Sequence, residues 1–190
     1  MNSMPPSKSV PYLAGMTVLN LRKAFEELVG SDTVVRALNR VSPKARDDYE
    51  AATPISWVLN ESVSRVHEAI ADEAGADVNE LVLAAVEISV DRLFKTVWRI
   101  FLRFTSDEAL IQRTPILYSR SRSLGEMTSR MLRPGIAEVM ISGWPTIPDR
   151  DVLVMRLAIE RFLILAGRSS VSVTFERAPG GARYRAQWKI

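Results

Sequence analysis

The sequence predicts an α+β fold, in which a helical N-terminal half is followed by a small antiparallel β-sheet with a long helix packed across it. Apolar residues recur at helical spacing through the first half of the chain. Two segments near the C-terminus instead alternate apolar and polar residues around a Pro179-Gly180-Gly181 turn, which is typical of a β-hairpin. A long amphipathic stretch over 149–166 precedes that hairpin and predicts the helix that covers the sheet.

Two helices are predicted at the start of the chain. Within 13–29, apolar side chains fall on one side and charged side chains on the other, and Gly30 ends this helix. Ser31 or Asp32 can cap a second helix. Ser42-Pro43 is expected to end that second helix, because a residue before proline disfavours the helical conformation.

A third and a fourth helix follow a short extended link. The stretch 57–74 places apolar residues at helical spacing and is closed by Gly75. Asp77, with Glu80 following it at capping-box spacing, starts the next helix. That helix is predicted to merge into, or kink before, the apolar stretch 90–104.

The pattern changes after this apolar stretch. Ser106 or Asp107 is expected to cap a short helix, which Thr114-Pro115 interrupts. The residues after this proline lead into a polar, arginine-rich turn over 119–123. A β-rich run over 136–142, bounded by glycines on both sides, predicts a strand of the sheet.

The chain is expected to form one domain. Residues 1–11 contain several prolines and no apolar run, so they are predicted to be a flexible leader rather than a signal peptide. Residues 12–190 are predicted to be a single α+β domain without repeats or a linker. Charged residues interrupt every apolar stretch before it reaches the ~20 residues of a membrane-spanning helix, so a cytoplasmic location is expected.

The composition excludes several kinds of site. The chain has no cysteine and one histidine, His67, which excludes thiol chemistry and the usual histidine-rich zinc sites. No metal, cofactor or catalytic residue is expected. His67 lies beside the apolar face of its helix, where a structural imidazole is favoured over a pH-sensitive or ligand-contacting one. An enzyme built from carboxylates distant in sequence is the weakest alternative.

The charge is distributed unevenly along the chain. Residues 1–91 carry 8 Lys and Arg against 14 Asp and Glu, whereas residues 92–190 carry 17 against 8. The basic half could attract an anionic partner, or two copies could pair head to tail. A solvated surface without a partner is the favoured interpretation.

An apolar helix is predicted at the centre of the fold, over 90–104. Its one charged stripe, of three arginines and a lysine, could lie on an anionic membrane or a nucleic acid. A core helix with one exposed edge is favoured, because its other faces are broadly apolar. Any internal cavity should touch Trp98 and Phe101, and these two residues with Tyr118 are the predicted ligand-binding residues.

A cluster of arginines and hydroxyl groups follows Tyr118. Arginine together with hydroxyl groups suits the capture of phosphate or carboxylate by charge-assisted hydrogen bonds. Arg120 and Arg122 are therefore the predicted anion-binding residues, with Arg130 and Arg133 further along. A mobile, solvated loop is the alternative. No element that reads a nucleic-acid groove or stacks on RNA bases accompanies these arginines, so no specific nucleic-acid binding is expected.

Several short motifs follow one another in a characteristic order. They resemble a myxobacterial paralogous family of unknown function, whose members have about the length of this chain. The layout over 12–190 also resembles the heme-nitric-oxide/oxygen-binding (HNOB-like) fold and, more distantly, the vinyl-reductase and TRAPP-type ligand-binding domains. The motifs that carry the resemblance are Tyr12-Leu13-Ala14-Gly15, the helix end at Gly30, Gly75-Ala76-Asp77-Val78-Asn79-Glu80-Leu81, Ile141-Ser142-Gly143-Trp144-Pro145, Leu165-Ala166-Gly167 and the hairpin ending at Trp188.

The resemblance implies a heme-free member of this fold. The heme-binding relatives use an axial histidine on a helix after the long central one, and a Tyr-x-Ser-x-Arg motif for the propionates. This chain has no histidine after His67. Tyr118 and Arg122 stand at the tyrosine and arginine spacing, but Arg120 occupies the serine position, so no heme-binding residue is assigned.

The resemblance and the absence of catalytic motifs together predict a function. The chain is expected to be a non-enzymatic regulatory or sensory domain that binds a small ligand or a protein partner, without heme, and passes on a conformational change. The alternative is a structural protein–protein interaction module with a filled core and no small-molecule ligand. Its working surface would be the outside of the sheet or the basic half of the chain. A homodimer is compatible with either function.

Overall fold

The computed structural model describes residues 9–93 and 105–189. The chain divides into two compact units. Unit 1 consists of Met1–Ser89 and Arg120–Leu124, and unit 2 consists of Val90–Ser119 and Gly125–Ile190. Helices followed by a four-stranded antiparallel sheet confirm the predicted α+β class.

Unit 1 is mostly helical and contains a two-stranded antiparallel sheet. Helices α2 and α3 both pack against α4, and the two strands pair with Leu13 opposite Val58. Phe25, Tyr49 and Ile70 are among the fully buried side chains that form its core. Its elements are β1 (Tyr12–Ala14), α1 (Gly15–Val29), α2 (Ser31–Leu38), α3 (Pro43–Glu50), β2 (Trp57–Leu59), α4 (Asn60–Ala74) and the larger part of α5 (Val78–Leu93).

Local signals set the ends of α4 and α5 where the sequence predicts them. Gly75 adopts a left-handed conformation with φ of 64° and ends α4, a geometry that glycine adopts without strain. The Asp77 carboxylate then accepts hydrogen bonds from the backbone N–H groups of Asn79 and Glu80, at 2.9 and 3.0 Å. Asp77 therefore caps α5 as predicted.

Ser42-Pro43 starts a helix, which corrects the prediction that it only ends one. Helix α2 ends at Leu38, and α3 begins at Pro43. The Ser42 hydroxyl accepts a hydrogen bond from the Ala45 N–H at 3.3 Å. Proline is favourable in the first turn, because its missing N–H has no helical partner there and its φ is already set.

Unit 1 is completed by a segment that returns from later in the chain. The Ser123 N–H donates to the Tyr12 carbonyl at 3.1 Å, and the Tyr12 N–H donates to the Ser123 hydroxyl at 2.8 Å. Leu13 faces Arg122 in an isolated antiparallel bridge. The segment therefore pairs with the side of β1 that β2 leaves free.

Unit 2 is built on a four-stranded antiparallel sheet with the strand order β3-β4-β6-β5. Helix α8 packs against β5 and β6, and the predicted helix, hairpin and Pro179-Gly180-Gly181 turn are confirmed. Val139, Leu163 and Tyr184 are fully buried between helix and sheet. The elements are α6 (Asp107–Ile111), most of α7 (Thr114–Ser121), β3 (Glu126–Arg133), β4 (Ile136–Ser142), α8 (Asp149–Leu165), β5 (Ser169–Ala178) and β6 (Gly181–Lys189).

Three elements differ from the predictions. Pro115 lies in the first turn of α7 and does not interrupt a helix, so the predicted turn over 119–123 is helical as far as Ser121. Strand β3 was not predicted, because its mostly exposed residues include few apolar ones. The predicted helix over 57–74 begins as strand β2, whose Val58 is buried opposite Leu13.

Candidate functional site

His67 lies inside unit 1, on the buried side of α4. It is 5% exposed, and its Nε2 atom is fully enclosed. The centroid of its ring lies 4.7 Å from that of Phe25 and 6.1 Å from that of Tyr49, which it meets edge-on. This is the packing of a core imidazole between two aromatic rings, a favourable arrangement for ring quadrupoles.

The Tyr49 hydroxyl is buried in the same cluster. Burial raises the pKa of the Tyr49 phenol well above its ordinary value of 10.0, so the group stays protonated. Its oxygen is enclosed and forms no hydrogen bond with any residue in 9–93 or 105–189. A buried hydroxyl without a partner loses its hydration without compensation, which destabilises the fold.

Replacing Tyr49 with phenylalanine is expected to raise the free energy of unfolding by about 1 kcal/mol, because it removes this desolvation cost and keeps the ring. Urea unfolding followed by circular dichroism measures the change. The control is Tyr184→Phe, which removes a hydroxyl that donates to the Val152 carbonyl at 3.4 Å and is not expected to stabilise the chain. Equal losses of stability in the two variants would contradict the prediction.

Tyr118 is the one predicted ligand-binding residue that the structure describes, since Trp98 and Phe101 lie outside the described residues. It is buried on α7. A Cβ placed on Gly125 would lie 2.8 Å from the Tyr118 hydroxyl oxygen and 3.1 Å from the Ser142 carbonyl. The phenol therefore packs where β3 begins and β4 ends, and its role in a ligand pocket stays a prediction.

The predicted anion-binding arginines have different environments. Arg120 is exposed in the last turn of α7, whereas Arg122 is 7% exposed, at the bridge to Leu13. Arg130 lies on β3, where its guanidinium forms an ion pair with Glu138 at 2.8 Å. The anion-binding role of Arg120 and Arg122 stays a prediction, and Arg130 is engaged within the sheet.

A groove of about 580 Å³ opens on unit 1, between the end of α2, α3 and α4. Its walls carry as many basic as acidic side chains, with small apolar residues between them. Such a lining suits a small polar molecule with charges of both signs better than an apolar ligand. The lining residues are Arg40, Val41, Ser42, Lys44, Ala45, Leu59, Glu61, Ser62, Arg65, Glu68, Ala69 and Asp72.

Asp48 fixes the α3 side of this groove. Its Oδ2 atom accepts hydrogen bonds from the Lys44 ammonium at 2.7 Å and from the Ser62 hydroxyl at 2.6 Å. Partial burial acts to raise the pKa of Asp48, but these two hydrogen bonds outweigh it and hold the pKa below its ordinary value of 3.8. Asp48 is thus ionised at neutral pH and joins α3 to α4.

Glu73 fixes the α2 side in the same way. Its two carboxylate oxygens accept hydrogen bonds from Arg36 at 2.6 Å and Arg40 at 2.9 Å. The hydrogen bond from Arg36 and then that from Arg40 hold the pKa of Glu73 below its ordinary value of 4.5. Beside the groove, ion pairs of Glu73 therefore join α4 to the end of α2, and the hydrogen bond from Ser62 to Asp48 joins α4 to α3.

Sequence reasoning missed this groove because it missed α3. Reading Ser42 as an N-cap and Pro43 as the first helical residue would have placed Lys44 and Asp48 at helical ion-pair spacing. No local signal shows that α2, α3 and α4 leave a gap between them.

The described part of the chain contains no cluster of three or more His, Cys, Asp or Glu residues that could hold a metal ion. Within the same residues, no helix combines the length and the apolar character needed to cross a lipid bilayer. No protein-family model and no curated protein matches this chain.

Solved structures do match its fold. A crystal structure of an oxygen-binding H-NOX domain related to soluble guanylate cyclases, in its oxygen complex, gives a TM-score of 0.67 at 14% identity, over 94% of this chain and 96% of that chain. The Fe(II) unliganded H-NOX protein from K. algicida gives 0.69 at 10% identity, over 94% and 97%. A point mutant of T. tengcongensis H-NOX gives 0.65 at 16% identity, over 94% and 98%. The chain therefore has an H-NOX-like fold, which confirms the HNOB-like fold that its sequence predicts.

Proposed function

We propose that this chain is a non-enzymatic regulatory and sensory domain that binds a small ligand or a protein partner without heme. H-NOX domains are a family of sensory, ligand-binding domains, and the fold supports a related role here. The observation that carries the heme-free part of the proposal is the enclosure of the sole histidine between two aromatic rings. The resemblance of this chain to a myxobacterial paralogous family is part of the same proposal.

The one histidine of this chain does not fit the axial position of a heme. One of the similar solved structures concerns the function of heme distortion in the H-NOX family, and heme iron is held by an axial side chain such as histidine or cysteine thiolate. This chain has no cysteine, and the Nε2 atom of His67 faces the packed interior of unit 1. Heme ligation by His67 would require Phe25 and Tyr49 to move out of the core.

Mixing the recombinant protein with hemin is expected to give no His67-dependent spectrum. Because His67 cannot reach an iron without unpacking unit 1, the absorption spectrum after reduction and desalting should lack the Soret band of a histidine-ligated ferrous heme. His67→Phe keeps a ring in the core and serves as the control. A stoichiometric band in the wild-type protein that is lost in His67→Phe would overturn the heme-free proposal.

The groove on unit 1 is where we propose that a small ligand binds. Its volume is sufficient for a metabolite-sized molecule, and its balanced charges favour a polar ligand. An interior pocket predicted from the sequence at Trp98, Phe101 and Tyr118 is the second proposed place for a ligand. Separately, Arg120 and Arg122 are proposed to bind an anion.

A native mass spectrum of the protein purified from its own host tests the proposal. Reproducible extra mass that is lost on denaturation would support a ligand-binding domain. Repeated clean apo mass would favour the interaction module. Ala69→Leu fills the groove from α4, and Ala74→Leu adds the same atoms at an exposed position of the same helix. Extra mass lost only in Ala69→Leu places the ligand in the groove, and extra mass retained in both variants favours the interior pocket.

The second candidate function is a structural interaction module with no small-molecule ligand. The observation that favours it is the sheet of unit 2, one face of which is almost entirely polar and exposed along β5 and β6. Exposed polar strand positions of this kind are suited to contact a partner through charged side chains.

A further inference from the structure

The four-stranded sheet has two chemically different faces. Along β6, Tyr184 and Trp188 are buried on one face, and helix α8 covers that face. The residues that alternate with them along the strand point the other way, and of these Arg183, Arg185 and Lys189 are exposed. We call this second face of the sheet, which carries those three cations on β6, the outer face.

Part of the charge on the outer face is neutralised within the sheet. The Arg130 guanidinium on β3 pairs with Glu138 on β4 at 2.8 Å. Arg183 on β6 lies 3.7 Å from the same carboxylate and 3.0 Å from Glu176 on β5. These two arginines and two glutamates form a balanced network across all four strands, so they add no net charge to the face.

Three further cations on the outer face have no such balance. Arg133 faces Ile136 in the strand register, and Ile136 faces Gln187, which places Arg133 on the same face as Arg185 and Lys189. All three are exposed, and none forms an ion pair with a residue in 9–93 or 105–189. We call Arg133, Arg185 and Lys189 the basic end. It concentrates positive charge at one end of the sheet.

The distances between the three cations of the basic end indicate what shape of anionic partner would fit them. Arg185 and Lys189 lie on one strand, about 13 Å apart at ~3.3 Å per residue. Carboxylates spaced by the same number of residues on an extended peptide have the same separation. Arg133, two strands away, lies about 10 Å to the side, where it can reach a third carboxylate. Arginine binds carboxylate through paired, charge-assisted hydrogen bonds.

Other anionic macromolecules fit this face less well. The aromatic side chains of β6 point to the covered face, so the outer face offers no ring on which nucleic-acid bases could stack. Two apolar side chains lie near the basic end. Ile136 is 8% exposed, and Leu132, beside Arg133, is 44% exposed. One exposed leucine is too little apolar surface to hold the sheet on a lipid surface. An acidic protein segment needs neither feature.

We propose that the basic end docks an extended, acidic segment of a partner protein along β6. The two cations of β6 would bind carboxylates four residues apart on that segment, and Arg133 would bind a third, beside the neutral network of Arg130, Glu138, Arg183 and Glu176. This surface lies in unit 2 and is independent of the groove on unit 1, so it stands whether or not a small ligand binds there.

Fluorescence anisotropy with a labelled peptide of alternating glutamate and serine tests this proposal on the full chain. The triple variant Arg133→Gln, Arg185→Gln, Lys189→Gln is expected to bind the peptide at least about tenfold more weakly than wild type at low salt. The control variant Lys23→Gln, Arg46→Gln, Arg113→Gln loses the same charge elsewhere and is expected to stay within about twofold. Binding should weaken as salt is added, because the contacts are exposed ion pairs.

Three outcomes of this experiment would overturn the proposal. Equal weakening in the two triple variants would show that net charge alone attracts the peptide, and absence of binding to wild type would remove the site. Tighter binding of a single-stranded oligouridylate of equal charge, lost in the basic-end variant, would assign the surface to nucleic acid instead. Circular dichroism checks that both variants fold, and Arg185→Gln alone, expected to weaken binding about threefold, gives a milder second test.

Discussion

Replacing Gly181 with alanine is expected to lower the free energy of unfolding by about 3 kcal/mol. Gly181 begins β6, and a Cβ placed there would overlap the carbonyl oxygen of Ile141 and lie 2.8 Å from its carbonyl carbon. These are backbone atoms of β4, so no side-chain rotation can relieve the overlap. Strands β4 and β6, the two central strands of the sheet, would have to separate where β6 begins. Chemical denaturation monitored by circular dichroism measures the loss.

Gly75→Ala is the matched control for this substitution. Gly75 has a φ of 64° and no atom within 4 Å of an added Cβ, so alanine there suffers only the strain of a left-handed backbone, about 1 kcal/mol. A loss at Gly181 no larger than that at Gly75 would show that the two strands can move apart without cost.

Replacing Phe25 with alanine is expected to lower the free energy of unfolding by about 4 kcal/mol. Phe25 is fully buried on α1, and its ring packs against the imidazole of His67. Removing the ring deletes apolar contacts and leaves a cavity beside a polar imidazole, which helices on both sides cannot easily fill. Thermal and urea unfolding of the purified variant measure the loss.

Leu28→Ala tests whether burial is the cause. Leu28 lies on the same helix but is 40% exposed, so its loss should cost under about 1 kcal/mol. Similar losses at the two positions would contradict the assignment of Phe25 to the core.

Helix ends that depend on one local signal are predicted well from the sequence. Gly75 and Asp77 act within a turn of their own positions, and both end or begin helices where expected. The hairpin is predicted equally well, because its turn and its alternation of apolar and polar residues lie in one short stretch of the sequence. Serine–proline and threonine–proline pairs are ambiguous, because proline both ends one helix and suits the first turn of the next. That ambiguity concealed α3 and α7.

Other features depend on contacts between distant residues. Strand β3 is specified by its pairing with β4 rather than by its own exposed, polar residues. The position of His67 beside a buried face followed from helical spacing, but its two aromatic neighbours come from α1 and α3. The groove depends on how three helices pack, and the balance of charge on the outer face depends on strand register. Neither the groove nor this balance of charge can therefore be predicted from a single stretch of the sequence.

The return of the chain at Ser123 has a consequence for synthesis on the ribosome. The hydrogen bond between Tyr12 and Ser123 joins residues 111 positions apart, and contacts of such separation form late because the loop between them must first be closed. The helices of unit 1 are made well before Arg120–Leu124, so a nascent chain that has folded them still presents one free edge of β1. Unpaired strand edges are sites of aggregation. A ribosome pause after Ser89 would therefore prolong the interval in which unit 1 is most exposed to pairing with other chains.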